Sequence, residues 1–231
     1  MASPLRSKRI LDFHDHVHLR YAWPLENLPS ACPCGDTFNV DHAQVCKLSG
    51  FIHKRHDELT MFLAKCMKEV IHDVEVEPML LPLSGETFRH RTANTEPDAR
   101  ADIRARGFWM DRQDAFFDIR VFYPGASSYR STSLRALYHR FKMEKKKWAY
   151  GERIREVQHG SFTPMVFSLT HVTCGGMGKE ASVAIATLAA ALAVERKEHY
   201  SSVMRWLRCC LSFCLARSAI RCIRGSRAIP A

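Results

Sequence analysis

Long hydrophobic runs are missing from this sequence. The longest late apolar stretch, Cys209 to Ala216, falls far short of the ~20 residues that span a bilayer, so no membrane helix is expected. The basic residues Arg6, Lys8 and Arg9 run into Leu11-Asp12-Phe13-His14-Asp15-His16 and not into an apolar segment, which argues against a secretory leader. Internal repeats and low-complexity tracts are also lacking. Acidic residues are in short supply, with 24 Asp+Glu against 34 Lys+Arg and a formal net charge of +10. A surface of that sign concentrates phosphates and favours a polyanionic partner. The plainer alternative is a soluble basic protein, since net charge governs association and not fold.

Hydrophobic residues make up 46% of the 231, enough for a real core in one domain with a short appended module. The nine cysteines are odd in number. Cys32, Cys34 and Cys46 lie close together, while Cys66, Cys209, Cys210, Cys214 and Cys222 fall within apolar helical patterns. This usage suits a reducing compartment, nuclear or cytoplasmic, rather than a disulfide framework.

Residues 1–30 read as an irregular lead-in punctuated by Pro4, Pro24 and Pro29, with His14, His16 and His18 as surface residues. From Glu58, the apolar positions Leu59, Phe62, Leu63, Cys66, Met67, Val70 and Ile71 predict a helix ending near His72-Asp73. Val74 to Pro78 alternates as a short strand, and Leu83 to Asp98 reads as a loop. Two strands are expected at Arg100–Phe108 and Ala115–Tyr123, separated by a polar turn. Ser131 to Val157 predicts a helix interrupted at Gly151, carrying a basic ridge of Lys142, Lys145, Lys146 and Lys147. A buried strand at Phe162–Leu169, a loop at Gly175–Gly178 and helices at Glu180–Glu195 and Tyr200–Arg224 complete an α+β (α/β) order with a four-stranded sheet.

Two constellations carry chemistry. Cys32-Pro-Cys34 followed by His42 and Cys46 offers four soft ligands within fifteen residues. The i, i+2 pair shares a strand face, the i, i+4 pair shares a helix face, and Gly35 allows a tight turn. This pattern predicts a structural Zn²⁺ with all four positions filled by protein. The alternative is three free thiols and a surface histidine. Asp102 and Asp118 sit on adjacent expected strands, and alternation puts both on the face opposite Ile103 and Ile119. Paired carboxylates of that kind suit Mg²⁺ or Mn²⁺, or else form salt bridges with Arg104, Arg106 and Arg120.

The run from Cys32 to Pro124 resembles the zinc knuckle and restriction-endonuclease-like segment that follows the reverse transcriptase in site-specific non-LTR retrotransposons. The residues that carry the likeness are Cys32, Cys34, His42 and Cys46, then Arg55-His56, Val76-Glu77-Pro78, Arg100-Ala101-Asp102-Ile103 and Phe117-Asp118-Ile119-Arg120-Val121. The resemblance implies a knuckle at 31–50 ahead of a nuclease-like core at 51–231. It further implies a divalent ion held by Asp102 and Asp118, and a water-positioning lysine. Arg120 stands where that lysine is usual, and a guanidinium cannot act as a base near neutrality. Some relatives carry the lysine on the next helix in a Lys-x-x-x-Tyr pattern, which Lys146 and Tyr150 fit, and Glu58 offers a helix-borne acid. Ala101 departs from the family's proline, and His171-Val172-Thr173-Cys174 looks inserted. Three functions are therefore expected in order: a metal-dependent DNA endonuclease with Arg104, Arg106, Arg120, Lys142 and Lys145 on the phosphate backbone, a non-catalytic module for DNA or RNA, and a decayed retroelement copy. No Tyr-x-Asp-Asp polymerase signature is present, so any reverse transcription would belong to an upstream module.

Overall fold

The computed structural model describes residues 13–88, 99–129, 131–142, 145–169 and 176–225, with the side chains of residues 49, 142 and 145–149 also left undescribed. The stretch His171–Cys174 and most of the loop anticipated at 83–98 lie outside this set. Helices are α1 (13–20), α2 (Val40–Val45), α3 (Phe51–Lys68), α4 (Leu134–Lys142), α5 (Lys145–Val157), α6 (Lys179–Arg196) and α7 (Tyr200–Arg224). Strands are β1 (Val74–Val76), β2 (Ile103–Arg106), β3 (Asp114–Phe122), β4 (Ser161–Ser168) and β5 (Gly176–Met177).

These strands form one mixed sheet in the order β1-β2-β3-β4-β5. Both β1-β2 and β2-β3 pair antiparallel, β3-β4 pair parallel across the α4-α5 connection, and β5 returns antiparallel to β4. The chain is thus α+β, with a five-stranded sheet where four strands were expected. The extra strand, β5, occupies residues read from their glycines as loop.

The central strand β3 explains the layering. Ala115, Phe117, Ile119 and Val121 point to one side and enter a large buried cluster with Leu59 and Leu63 of α3, Ile185 and Leu188 of α6, and Leu207 and Leu211 of α7. Phe116 and Phe122 point the other way. They are buried against Ile154 of α5 and against Leu137 and Phe141 of α4, respectively. A strand covered on both faces needs apolar residues at successive positions, which is why Ala115-Phe116-Phe117 does not alternate.

Other differences from expectation have local causes. Helix α3 begins at Phe51, about two turns before Glu58, because Phe51, Arg55, Leu59 and Leu63 form one buried stripe at four-residue spacing. Arg55 hides that stripe from a hydrophobicity count. Residues 13–20 are helical, and Asp15 is buried where it receives Arg224 of α7 at 2.6 and 2.9 Å. Gly151 does not interrupt a helix; it lies inside α5, where a Cβ would stand 3.1 Å from the Phe162 ring, so it sets the close approach of α5 to β4. Residues of the Cys/His segment join the main cluster too, with Phe38 and Ala43 buried alongside Leu59.

Phe117, fully buried, meets Phe108 edge to face at 4.9 Å. Phe117→Ala should cost about 3–5 kcal/mol of stability, read as a lowered urea midpoint at unchanged slope. A loss below ~1 kcal/mol would show that β3 is not the centre of the core.

Candidate metal centre and paired acids

The Cys/His segment is built from a turn and a short helix. Gly35, at φ +97°, donates its N–H to the Cys32 carbonyl at 2.9 Å, and Cys32 N donates to Asp36 O at 2.8 Å. The left-handed φ is what glycine supplies. Next, the Asn39 side chain accepts the His42 N–H at 2.8 Å and caps α2, and Cys46 follows the end of that helix with its N–H on His42 O. One helical turn therefore separates the third and fourth ligands.

Cys32 Sγ and Cys46 Sγ are 3.8 Å apart, Cys34 Sγ is 3.4 Å from His42 Nε2, and all four ligand atoms lie within 4.8 Å of one another. Bond lengths of ~2.3 Å to sulfur and ~2.0 Å to nitrogen at tetrahedral angles separate two sulfurs by about 3.8 Å, and sulfur from nitrogen by about 3.5 Å. The Cys3His cluster is suited to a metal such as zinc. Cys32 and Cys46 are buried and His42 is nearly so, while Cys34 closes the site from the surface. Asp36 Oδ2 lies 3.6 Å from His42 Nδ1, on the side of the ring away from the ligating nitrogen.

Between His42 and Cys46 stands Gln44, wholly buried. Its amide donates to Ala219 O of α7 at 3.1 Å, and its carbonyl groups accept the buried Arg55 guanidinium at 3.4 and 3.5 Å. Burial pulls the Arg55 pKa below its ordinary value. Nearby, Tyr123 at the end of β3 donates its hydroxyl to Asp41 of α2. Burial, ahead of the Asp41 charge, raises that phenol well above its usual range.

Asp102 immediately precedes β2 and Asp118 lies on β3, and their carboxylates face different groups. Asp118 follows the alternation. It is half-buried on the face that carries Phe116 and Phe122. At Asp102 the alternation breaks. Its N–H donates to Phe117 O, the residue that pairs with Ile103, while Ala101 donates to Pro78 O and packs with Phe116. The extra residue is a β-bulge. It turns the Asp102 carboxylate into the ladder, where it accepts the Ile119 N–H and lies 3.1 Å from His56 Nε2 of α3. Asp57 also approaches His56, at 3.3 Å. The hydrogen bond to Asp102 outweighs burial and holds the imidazole pKa up at about 9.

The remaining candidates separate. Glu58 pairs with Arg221 of α7, on another side of α3 from His56. Arg104 is held by Asp73 at 2.9 Å and Glu75 at 3.3 Å, with Asp114 at 4.0 Å. Arg106 is exposed and donates to Arg112 O. Arg120 is exposed, its guanidinium 5.2 Å over the Phe141 ring. Tyr150 packs, half-buried, on the cluster of Phe116 and Ile154. Lys142, Lys145 and Lys146 lie on helical backbone, with side chains outside the described set. Sequence reasoning gave no role to His56, Asp36 or Gln44. Only His56 had a usable signal, an imidazole one turn ahead of Leu59 on the stripe side of an amphipathic helix.

No protein-family model matches the chain, and no curated protein is significantly similar to it.

Purified protein should carry one equivalent of zinc by elemental analysis, lost in the Cys34→Ser/Cys46→Ser double variant; zinc retained by that variant would place the metal elsewhere. In magnesium-free buffer the His56 ring should titrate near pH 9, against 6.5 for the ordinary group, and return toward 6.5 in Asp102→Asn. A raised folded pKa stabilises fully below about 6.5, and the gain disappears as pH rises through about 9. The urea midpoint of the wild type should therefore fall over that window more than that of His56→Gln. An NMR titration midpoint near 6.5 in the wild type would refute the pairing.

Proposed function

We propose that this chain is a zinc-stabilised, restriction-endonuclease-like domain of retroelement origin that hydrolyses DNA phosphodiesters with a divalent ion. The observation that carries the reading is the sheet itself. Helix α3, the β1-β2-β3 meander, a helical crossover and a parallel β4 occur in the order expected for such a core, with Asp118 on β3 and Asp102 at the bulge that precedes β2.

For Asp102 and Asp118 to hold Mg²⁺ or Mn²⁺ together, the Asp102 carboxylate would have to turn from the α3 side toward Asp118; the ion would supply an activated water and neutralise charge on the phosphate. The chain's own groups have distinct tasks. Ile119 N–H and His56 fix the Asp102 carboxylate. Phe116, two residues before Asp118 on the same face of β3, is buried and excludes water from that side. Lys146, one turn before Tyr150 on α5, is the candidate for positioning water. Glu58 is not assigned to the site, since Arg221 holds it, and Arg104 is left out of the phosphate contacts for the same kind of reason. In this reading the partner is DNA, the compartment is nuclear or cytoplasmic, and reverse transcription belongs to a separate module.

A second reading, a non-catalytic nucleic-acid module, is favoured by two observations. Arg120 replaces the strand lysine, and the cation of His56 already stands against Asp102, where an entering metal ion would meet it.

A plasmid-nicking assay with Mg²⁺ or Mn²⁺ separates the two. The nuclease reading expects the wild type to nick supercoiled DNA and Asp118→Asn to lose at least ~100-fold, as befits removal of a metal ligand. Wild-type binding without nicking in either metal would leave the binding module.

A further inference from the structure

Two of the cations first expected to hold phosphate are engaged elsewhere: Arg104 by carboxylates, Arg120 over an aromatic ring. Another group of cations has no such ties. A cleft of about 520 Å³ opens between α4 and the turn that leads from β5 into α6. Arg135, Tyr138 and His139 line it from α4, and Gly178, Lys179 and Glu180 from the α6 side. Arg135 and Lys179 are exposed and have no ion-pair partner among the described residues. Glu180 is the sole acid of that lining.

Its walls are fixed before any ligand arrives. Tyr138 donates its hydroxyl to Ser168 Oγ at 2.7 Å, and the Gly176 N–H donates to the same oxygen at 3.1 Å, so α4, β4 and β5 are tied at one buried hydroxyl. A Cβ at Gly176 would stand 2.6 Å from the Tyr138 oxygen, and one at Gly178 3.4 Å from its ring. Only glycine lets this turn pass so close to the tyrosine. Gly178 also precedes α6 without a side-chain cap.

Placement relates the cleft to the acids. Val166, which lines it, is the register partner of Arg120, two residues beyond Asp118 on β3, and Val166 is buried with Phe122 on the face that carries Asp118. The cleft therefore lies on the Asp118 side of the sheet, displaced by one strand. Exposed cations there lose little hydration on binding and release counterions when a phosphate arrives, and the cleft is larger and more open than a single small anion requires.

We propose that this cleft binds a backbone phosphate of the nucleic acid, remote from the acid pair, with Arg135 and Lys179 as its charged contacts. The proposal rests on the DNA partner named above but not on cleavage. The test uses the full, zinc-loaded chain and a labelled short duplex, with binding followed by anisotropy over a series of salt concentrations. Arg135→Gln/Lys179→Gln, with zinc content and circular dichroism unchanged, should weaken binding and flatten the slope of log K against log salt by about 0.9, the share of one phosphate contact. Glu180→Gln should tighten binding. An unchanged slope in the double variant would overturn the proposal, as would a wild type that binds no duplex. A wild type that binds with the predicted slope change but does not nick plasmid in Mg²⁺ or Mn²⁺ would uphold this cleft and remove the nuclease reading alone.

Discussion

Burial of β3 on both faces is the constraint from which the rest of the architecture follows. A nine-residue strand that shows Phe117, Ile119 and Val121 to one side and Phe116 and Phe122 to the other must be covered twice. Helices α3, α6 and α7 supply one cover, α4 and α5 the second. Interior residues of such a strand leave few places for charge. Asp118 takes one of them, between two phenylalanines, and Arg120 another, where the sheet emerges from under α4. Charge within β3 is thus limited to Asp114 at its start and to Asp118 and Arg120. The bulge beside β3 matters because a single inserted residue reverses side-chain direction. At Asp102 it substitutes a carboxylate for a backbone carbonyl in the ladder and hands the acid to His56.

Periodicity in the sequence was enough for α3, α6 and α7 and for the order of the first four strands, because amphipathic stripes and alternation arise from burial on one side. It failed where burial was not one-sided or not apolar. Arg55 occupies a core position of α3, so the start of that helix was placed late. The bulge at Asp102 has no compositional signature, and the face of its carboxylate followed from alternation that the backbone does not keep. The strand β5 is two residues long and its glycines resemble a loop. The Cys/His cluster was the most legible feature, since ligand type and spacing alone specify it. Its contacts through Gln44, 175 residues away from Ala219 along the chain, could not be read from any local pattern.

Those contacts change how the Cys/His segment is understood. As a bead on a leader it would order only itself. Here Gln44 lies between two of the candidate ligands and satisfies the guanidinium of Arg55, one residue before His56. A buried cation that loses its acceptors is strongly destabilising. The Cys/His segment is therefore mechanically continuous with the helix that holds Asp102, through atoms outside the four candidate ligands.

The ion pair of Asp15 with Arg224 has a topological consequence. It joins two residues 209 positions apart, and the same guanidinium reaches the carbonyls of Glu26 and Asn27. The chain between them is a noncovalent ring, so neither terminal helix can peel away without breaking the clasp first. Such a closure resists fraying at both ends while it holds, and unlike a disulfide it needs no oxidant. It opens to acid instead. Burial works to raise the Asp15 pKa, and the hydrogen bond and charge of Arg224 overcome it, so the ring is secure while that carboxylate is ionised and loosens as protons claim it.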